Sequence, residues 1–223
     1  MGSSDKSQSH TFLHGEGDAW FNRNLEQLKS STTQTVEVDF IINSLVPFRG
    51  QFQNILEIGC GSGIKLTKLS ESFQADGFGI DASGAAIMEA QRLSDLKDSR
   101  LSFEVGLATN LPYENEKFDF ILFGFCLYLI PPNETYAAIM EANRVLKNGG
   151  FLAIVDFDYG GLKINPYKHA PGLFSFKNSY SQIFMASHYY SLVSKWSFSH
   201  TNSHFIQDRE ERISVEVLFK EVL

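Results

Sequence analysis

Asn54-Ile55-Leu56-Glu57-Ile58-Gly59-Cys60-Gly61-Ser62-Gly63-Ile64 is the stretch that decides the fold. Asn54 to Ile58 is a short, mostly apolar run fit for a buried strand. The glycines at alternate positions cannot continue it, and Ile64 to Phe73 carries apolar residues at helical spacing. The order is strand, tight glycine turn, helix. Such a turn lets a ligand approach the main chain closely, and the helix that follows offers free N–H groups. Spacing then separates ligand classes. The dinucleotide fingerprint G-x-G-x-x-G would need glycine at position 64, where this chain has Ile64, so the observed pattern is E-x-G-x-G-x-G.

Downstream, Phe78-Gly79-Ile80-Asp81 reads as a second strand ending in a carboxylate, 18 residues beyond Gly63. At the tip of the second strand of a doubly wound sheet, an acid can accept both hydroxyls of a ribose. Two plainer readings stand beside this one: Asp81 as a cap for the helix from Gly84, and the glycine turn as a crossover only. The pattern continues as strand 53–58, helix 64–73, strand 77–81, helix 84–97, strand 101–105, strand 118–125, helix 134–147 and strand 150–157. Ser31 to Val46 reads as a further helix ahead of the first strand, and Lys147-Asn148-Gly149-Gly150 as a helix stop. This alternation predicts an α/β, doubly wound, mostly parallel sheet. His188 to Phe198 and Arg212 to Phe219 read as two closing antiparallel strands, making seven in all.

The motif with its downstream acid resembles motif I of the class I S-adenosylmethionine (SAM) methyltransferases. That resemblance implies a Rossmann-like fold with SAM as cofactor. It places Gly59, Cys60, Gly61 and Gly63 around the methionine and ribose of SAM, Glu57 near its amino group, and Asp81 with Ala82 at the ribose. The family's G-D-A, L-P-F and F-D pattern is matched by Gly106-Leu107-Ala108, Leu111-Pro112-Tyr113 and Phe118-Asp119. The departure is Leu107, which replaces an acid that receives the adenine amino group, so main-chain groups of Leu107 and Ala108 are expected to hold the adenine. Strand four ends in Phe123-Gly124-Phe125-Cys126-Leu127-Tyr128, which puts Phe123 beside the cofactor and Tyr128 on the acceptor side.

Composition narrows the function classes. A chain of 223 residues that is 43% hydrophobic can bury one sizeable core. A net charge of −7 argues against a nucleic-acid partner held through its phosphates. Cys60 and Cys126 are the only cysteines, in positions unsuited to a disulfide framework. Cys126 reads as a buried strand-end residue rather than a nucleophile. The six histidines His10, His14, His169, His188, His200 and His204 lack paired ligand spacing, so no metal site is expected. No apolar run is long enough for a membrane span and the polar start has no signal-peptide core, which points to a cytoplasmic protein, as monomer or homodimer.

Residues 1–10 are expected to be disordered, 11–50 to cover the cofactor site, and 51–223 to form the SAM-binding domain, with 159–187 as an aromatic substrate loop. Trp20 and Arg23 are candidate substrate contacts because a tail rarely carries Trp-Phe without use. His169, Lys177 and Tyr180 are the candidate catalytic residues, with Asp158 and Tyr128 behind them as substrate contacts. His169 is the candidate base because imidazole titrates near neutrality. Glu16 to Asn24, Phe125 to Leu129 and His169 to Lys177 also resemble short bacterial methyltransferases of surface-polysaccharide and flagellar-sugar gene clusters. That narrower resemblance implies transfer to oxygen or nitrogen of a small molecule such as a sugar, sugar nucleotide or glycan precursor. A methyltransferase acting on protein or RNA, and a SAM-binding regulatory protein without turnover, stand as alternatives.

Overall fold

The computed structural model describes residues 7–30, 33–95, 100–201 and 203–222. Helices α1 (Gln8–Thr11), α2 (Gly17–Ser30) and α3 (Thr33–Leu45) precede the sheet. The central alternation then runs β1 (Asn54–Ile58), α4 (Ile64–Phe73), β2 (Asp76–Asp81), α5 (Gly84–Asp95), β3 (Leu101–Val105), β4 (Phe118–Gly124), α6 (Pro132–Val145) and β5 (Leu146–Phe157). Seven strands lie in the order β3-β2-β1-β4-β5-β9-β8, where β8 is Tyr190–Phe198 and β9 is Ile213–Lys220. Strands β1 to β5 are parallel. The β5–β9 and β8–β9 pairs are antiparallel, as the closing pair was expected to be.

Both faces of the sheet are covered, which is why its central strands are near-continuous apolar runs. On one face Ile41, Leu45, Leu66, Leu69 and Ile87 pack over Ile55, Phe120 and Leu122. On the other, Ala138, Ala142 and Phe184 pack over Leu56, Ile121 and Phe123. Strand order reverses between β1 and β4, and a doubly wound sheet opens its ligand crevice at the carboxyl ends beside such a reversal.

Three expectations are corrected. Gln8 to His10 are ordered in α1, because the Gln8 amide donates to the carbonyls of Leu129 (2.7 Å) and Phe174 (2.8 Å) and accepts from the Phe174 N–H (2.9 Å). Residues 1–6 lie outside the described residues, as do 31–32 and the last residues of the helix expected over 84–97. Residues 159–187 are not a plain loop. They fold into a hairpin of β6 (Lys163–Pro166) and β7 (Phe174–Lys177), followed by α7 (Tyr180–Met185). Finally, α6 stops at Val145 rather than at Gly149-Gly150. The Lys220 ammonium, arriving from β9, donates to the carbonyls of Asn143 (2.8 Å) and Leu146 (2.8 Å) and satisfies the end of the helix, so β5 begins earlier. That cap comes from a residue 74 positions beyond Leu146, beyond the reach of local sequence rules.

Candidate cofactor and acceptor site

A cavity of about 770 Å³ opens at the carboxyl ends of β1, β2 and β4. Its floor is the glycine turn. Gly59 and Gly63 back onto the fold: a side-chain carbon at Gly59 would stand 2.6 Å from the Cys126 Cβ, and one at Gly63 2.6 Å from the Phe103 ring. Gly61 differs, since a Cβ there would meet nothing within 4 Å, and its φ of +52° leaves the backbone open to the cavity. Beneath the turn, Glu57 is 1% exposed, and among the described residues its Oε2 has no hydrogen-bond partner. Burial pushes its carboxyl up to about 8. A buried carboxylate oxygen without a donor is a place for a cationic or N–H group of a ligand.

Asp81 ends β2 at the cavity wall. Its Oδ2 accepts from Gly61 N–H (2.9 Å) and its Oδ1 from Ser83 N–H (2.8 Å), which fix the carboxylate while leaving each oxygen further lone pairs. Burial raises its pKa, opposed by those N–H donors. Cys60, Ala82, Gly106 and Ala108 line the same wall. Glu57, Gly63, Leu107 and the fully buried Phe123 do not: Glu57 lies beneath the turn, Phe123 belongs to the core beneath α6 and α7, and it is Phe125 that faces the cavity. Phe125 sits at φ +66°, a left-handed conformation costing a non-glycine residue about 1–3 kcal/mol, and its N–H donates to Val155 (2.8 Å). That turn aims its ring at Tyr128 (5.0 Å between centroids), Phe157 (5.1 Å) and His200 (5.3 Å).

The N-terminal segment forms the opposite wall. Gly17, Trp20, Phe21 and Asn24 line the cavity at the i, i+3, i+4, i+7 spacing of one helix face, and α1 and the turn after it add Ser9 and Phe12. Gly17 permits this contact, because a Cβ there would lie 2.8 Å from the Phe12 carbonyl and 3.2 Å from Ser83 N. Asp18 fastens α2 to the sheet by accepting from Ser83 Oγ (2.7 Å) and Ala85 N–H (2.9 Å), so a carboxylate from one helix caps the start of α5. The Ala85 N–H holds the Asp18 pKa below its usual value.

The structure separates the acceptor-side candidates. Trp20, Tyr128 and His169 line the cavity. Arg23 stands off the wall, bonded to Glu16 (2.5 Å) and the Tyr167 hydroxyl (3.0 Å), where it ties α2 to the β6–β7 hairpin. Lys177 is buried against the Glu210 carbonyl, with its ammonium over the Phe157 ring (4.1 Å). Tyr180 is in the core, its hydroxyl donating to the Phe176 carbonyl. Asp158 accepts from Ser179 Oγ (2.6 Å) and pairs with Lys195 (2.7 Å). Arg23, Lys177, Tyr180 and Asp158 all have polar side chains at plausible chain positions, but each spends its polar atoms on the protein itself.

Other contributors were not anticipated. Glu37 of α3 and Lys65 of α4 face each other across the cavity wall at 3.9 Å, and burial raises the Glu37 pKa. Phe157, Lys168 and His200 also line it. Asp156, 1% exposed, accepts from the N–H groups of Phe157 (2.8 Å) and Tyr128 (3.2 Å), and burial pushes it up to about 7. An acid at the tip of a central strand was the available signal for Asp156; Glu37 and His200 had none. Cys126 donates to the Ile58 carbonyl (3.3 Å) and burial pushes its thiol pKa up, opposite to what a nucleophile needs. Among the described residues no group of three His, Cys, Asp or Glu is placed to hold a metal, and no helix is long and apolar enough to cross a membrane.

Sheet order, glycine turn and the acid ending β2 define a Rossmann-like class I methyltransferase fold. Residues 55–150 match the methyltransferase-domain family. A methyltransferase of Synechocystis sp. is 32% identical over 104 residues, 47% of each chain. A demethylmenaquinone methyltransferase of Oceanobacillus iheyensis is 33% identical over 107 residues, 47% of this chain and 44% of its own. The chain thus matches less than half the length of these curated relatives. The crystal structure of the Burkholderia thailandensis 1,6-didemethyltoxoflavin N1-methyltransferase, with its substrate and S-adenosylhomocysteine bound, superposes with a TM-score of 0.75. It covers 100% of this chain and 94% of its own at 13% identity. The open Gly61 backbone, with the buried Glu57 carboxylate beneath it, fits the SAM that the matched methyltransferase domain and the fold imply.

Proposed function

We propose that this protein transfers a methyl group from SAM to an oxygen or nitrogen of a small molecule. The observation that carries this reading is one cavity holding both an open glycine turn with buried acids and, beside it, an aromatic wall. Glu57 would hold the amino group of SAM, Asp81 the ribose, and the main chain from Gly106 to Ala108 the adenine. SAM, when bound, supplies a sulfonium-activated methyl group.

The protein's own work is to align an acceptor, exclude water and, for a hydroxyl, take its proton. Phe125, Tyr128 and Phe157 form a dry wall. The Tyr128 hydroxyl has its pKa raised by burial and stays a neutral donor. His169 and His200 line the cavity; desolvation lowers the His200 pKa, which keeps that imidazole neutral and able to accept a proton near pH 7. The helix face Gly17, Trp20, Phe21 and Asn24 acts as the cover that excludes water.

For the acceptor we favour a sugar, sugar nucleotide or glycan precursor. Support comes from the three segments that resemble the bacterial surface-glycan enzymes. They lie far apart in sequence, yet their residues Trp20, Phe125, Tyr128, Leu129 and His169 meet around this one cavity. The test is calorimetric titration of S-adenosylhomocysteine into the wild type and Asp81→Ala. Binding that weakens about 10- to 100-fold in the variant is expected, the cost of losing hydrogen bonds to a charged group. Equal binding in both proteins, or none in either with the fold intact, defeats the reading.

A further inference from the structure

The two halves of the cavity differ in their ionisable groups. On the cofactor side lie Asp81 and the Glu37–Lys65 pair. On the acceptor side, beyond the rings of Phe125, Tyr128 and Phe157, the ionisable side chains are Lys168, His169 and His200. Among the described residues no carboxylate lines that half, although the chain as a whole has 26 acidic against 19 basic residues. Two separate elements supply the three groups: Lys168 and His169 stand on the loop between β6 and β7, and His200 follows β8.

Their surroundings leave these groups for a ligand. Among the described residues Lys168 has no acidic partner within ion-pair distance. His169 is in ring contact with Tyr167 (5.4 Å), and among the described residues neither of its ring nitrogens is hydrogen-bonded. His200 lies edge-on to Phe125 and Phe157, with Glu211 and Lys177 as the charges acting on it. A ring-lined wall carrying one ammonium and two imidazoles that can each donate an N–H orients a ligand that has a flat or C–H-faced ring and an anionic group.

We propose that the methyl acceptor is an anionic ring compound, its ring against Phe125, Tyr128 and Phe157 and its carboxylate or phosphate held by Lys168, His169 and His200. This inference rests on the methyltransferase reading above and deepens it. The anion fixes which ring atom meets the methyl donor, so charge selects the acceptor.

The experiment titrates matched probes into the full chain saturated with S-adenosylhomocysteine: salicylate with salicylamide, N-acetylneuraminate with its methyl ester, and glucose 1-phosphate with methyl glucoside. At least one acid is expected to bind ten times or more tighter than its neutral partner. Which pair discriminates tells a carboxylate from a phosphate. In Lys168→Gln and His200→Gln the preference is expected to fall at least threefold. A panel in which no acid outbinds its partner, including one in which nothing binds, overturns the proposal, as does a preference that both variants retain. S-adenosylhomocysteine binding is measured first in the same samples. Its absence condemns the cofactor reading, whereas its presence without charge discrimination condemns only the acceptor assignment.

Discussion

The cofactor floor and the acceptor rim share a cavity but are built differently. The floor is backbone and buried acid from consecutive strand–turn–helix units: Glu57, Gly61 and Asp81 lie within 25 residues and are locked by packing and N–H donors. The rim is assembled from α2, the end of β4, the β6–β7 loop and the chain after β8, and its chemistry is carried by side chains, with Lys168, His169 and His200 exposed at the edge. A floor of this kind recognises one invariant ligand, whereas a rim of side chains can change its acceptor while the sheet stays the same.

The largest expected effect tests whether the floor is strained until filled. Glu57 at about 8 and Asp156 at about 7 lie above their unfolded values. Their protonation therefore favours the folded state, an advantage fully present below the unfolded pKa and lost as pH rises through the folded one. Ligand-free protein should lose stability between about pH 4.5 and 8, by on the order of 4 kcal/mol for Glu57 alone. Urea titration across that range checks this, and Glu57→Gln should flatten the slope. S-adenosylhomocysteine, bringing an ammonium to Glu57, should restore stability at the alkaline end; below about pH 8, where Glu57 is protonated in the free protein, its binding should release a proton, read as a buffer-dependent binding enthalpy. A flat pH profile in the wild type would remove the contrast between floor and rim.

Next in size is Gly59→Val. The φ of +75° and the 2.6 Å approach to Cys126 predict a loss of about 3 kcal/mol in urea unfolding, since backbone strain and overpacking add. Asn at Gly61, where space is open and Asn tolerates a left-handed backbone, should leave the fold intact and weaken only cofactor binding. Equal destabilisation by both would mean the motif glycines serve packing alone.

The cover comes third. Gly17→Ala pushes α2 off the Phe12 carbonyl and should weaken S-adenosylhomocysteine binding about tenfold, with a stability loss of about 1–2 kcal/mol. Arg23→Ala, which removes a partly exposed tie to Glu16 and Tyr167, should cost at most about 1 kcal/mol. Smallest for function is Tyr180→Phe: about 1 kcal/mol of stability for the lost bond to the Phe176 carbonyl, with turnover of the same order as wild type. A turnover loss there much larger than the stability loss would move the rim inward to α7.

How much was legible follows from these two constructions. Periodicity and glycine spacing determine the strand–turn–helix units, because the forces that shape them act within a few residues; they carry the parallel sheet, the closing antiparallel pair and the wall positions of Gly61, Asp81, Ala82 and Ala108. Within the motif, sequence alone does not tell Gly61, which faces the cavity, from Gly63, which makes room for the Phe103 ring 40 residues away. Nor does it tell Phe125 from Phe123, since that depends on one left-handed backbone turn at a strand end. Only the tertiary structure decides that Lys177, Tyr180 and Asp158 satisfy partners in the protein, while His200, Glu37 and Lys65 reach the cavity. The physical reason is that side-chain chemistry belongs to whichever elements packing brings together. Hydrophobic burial, which acts without regard to chain distance, sets that assembly.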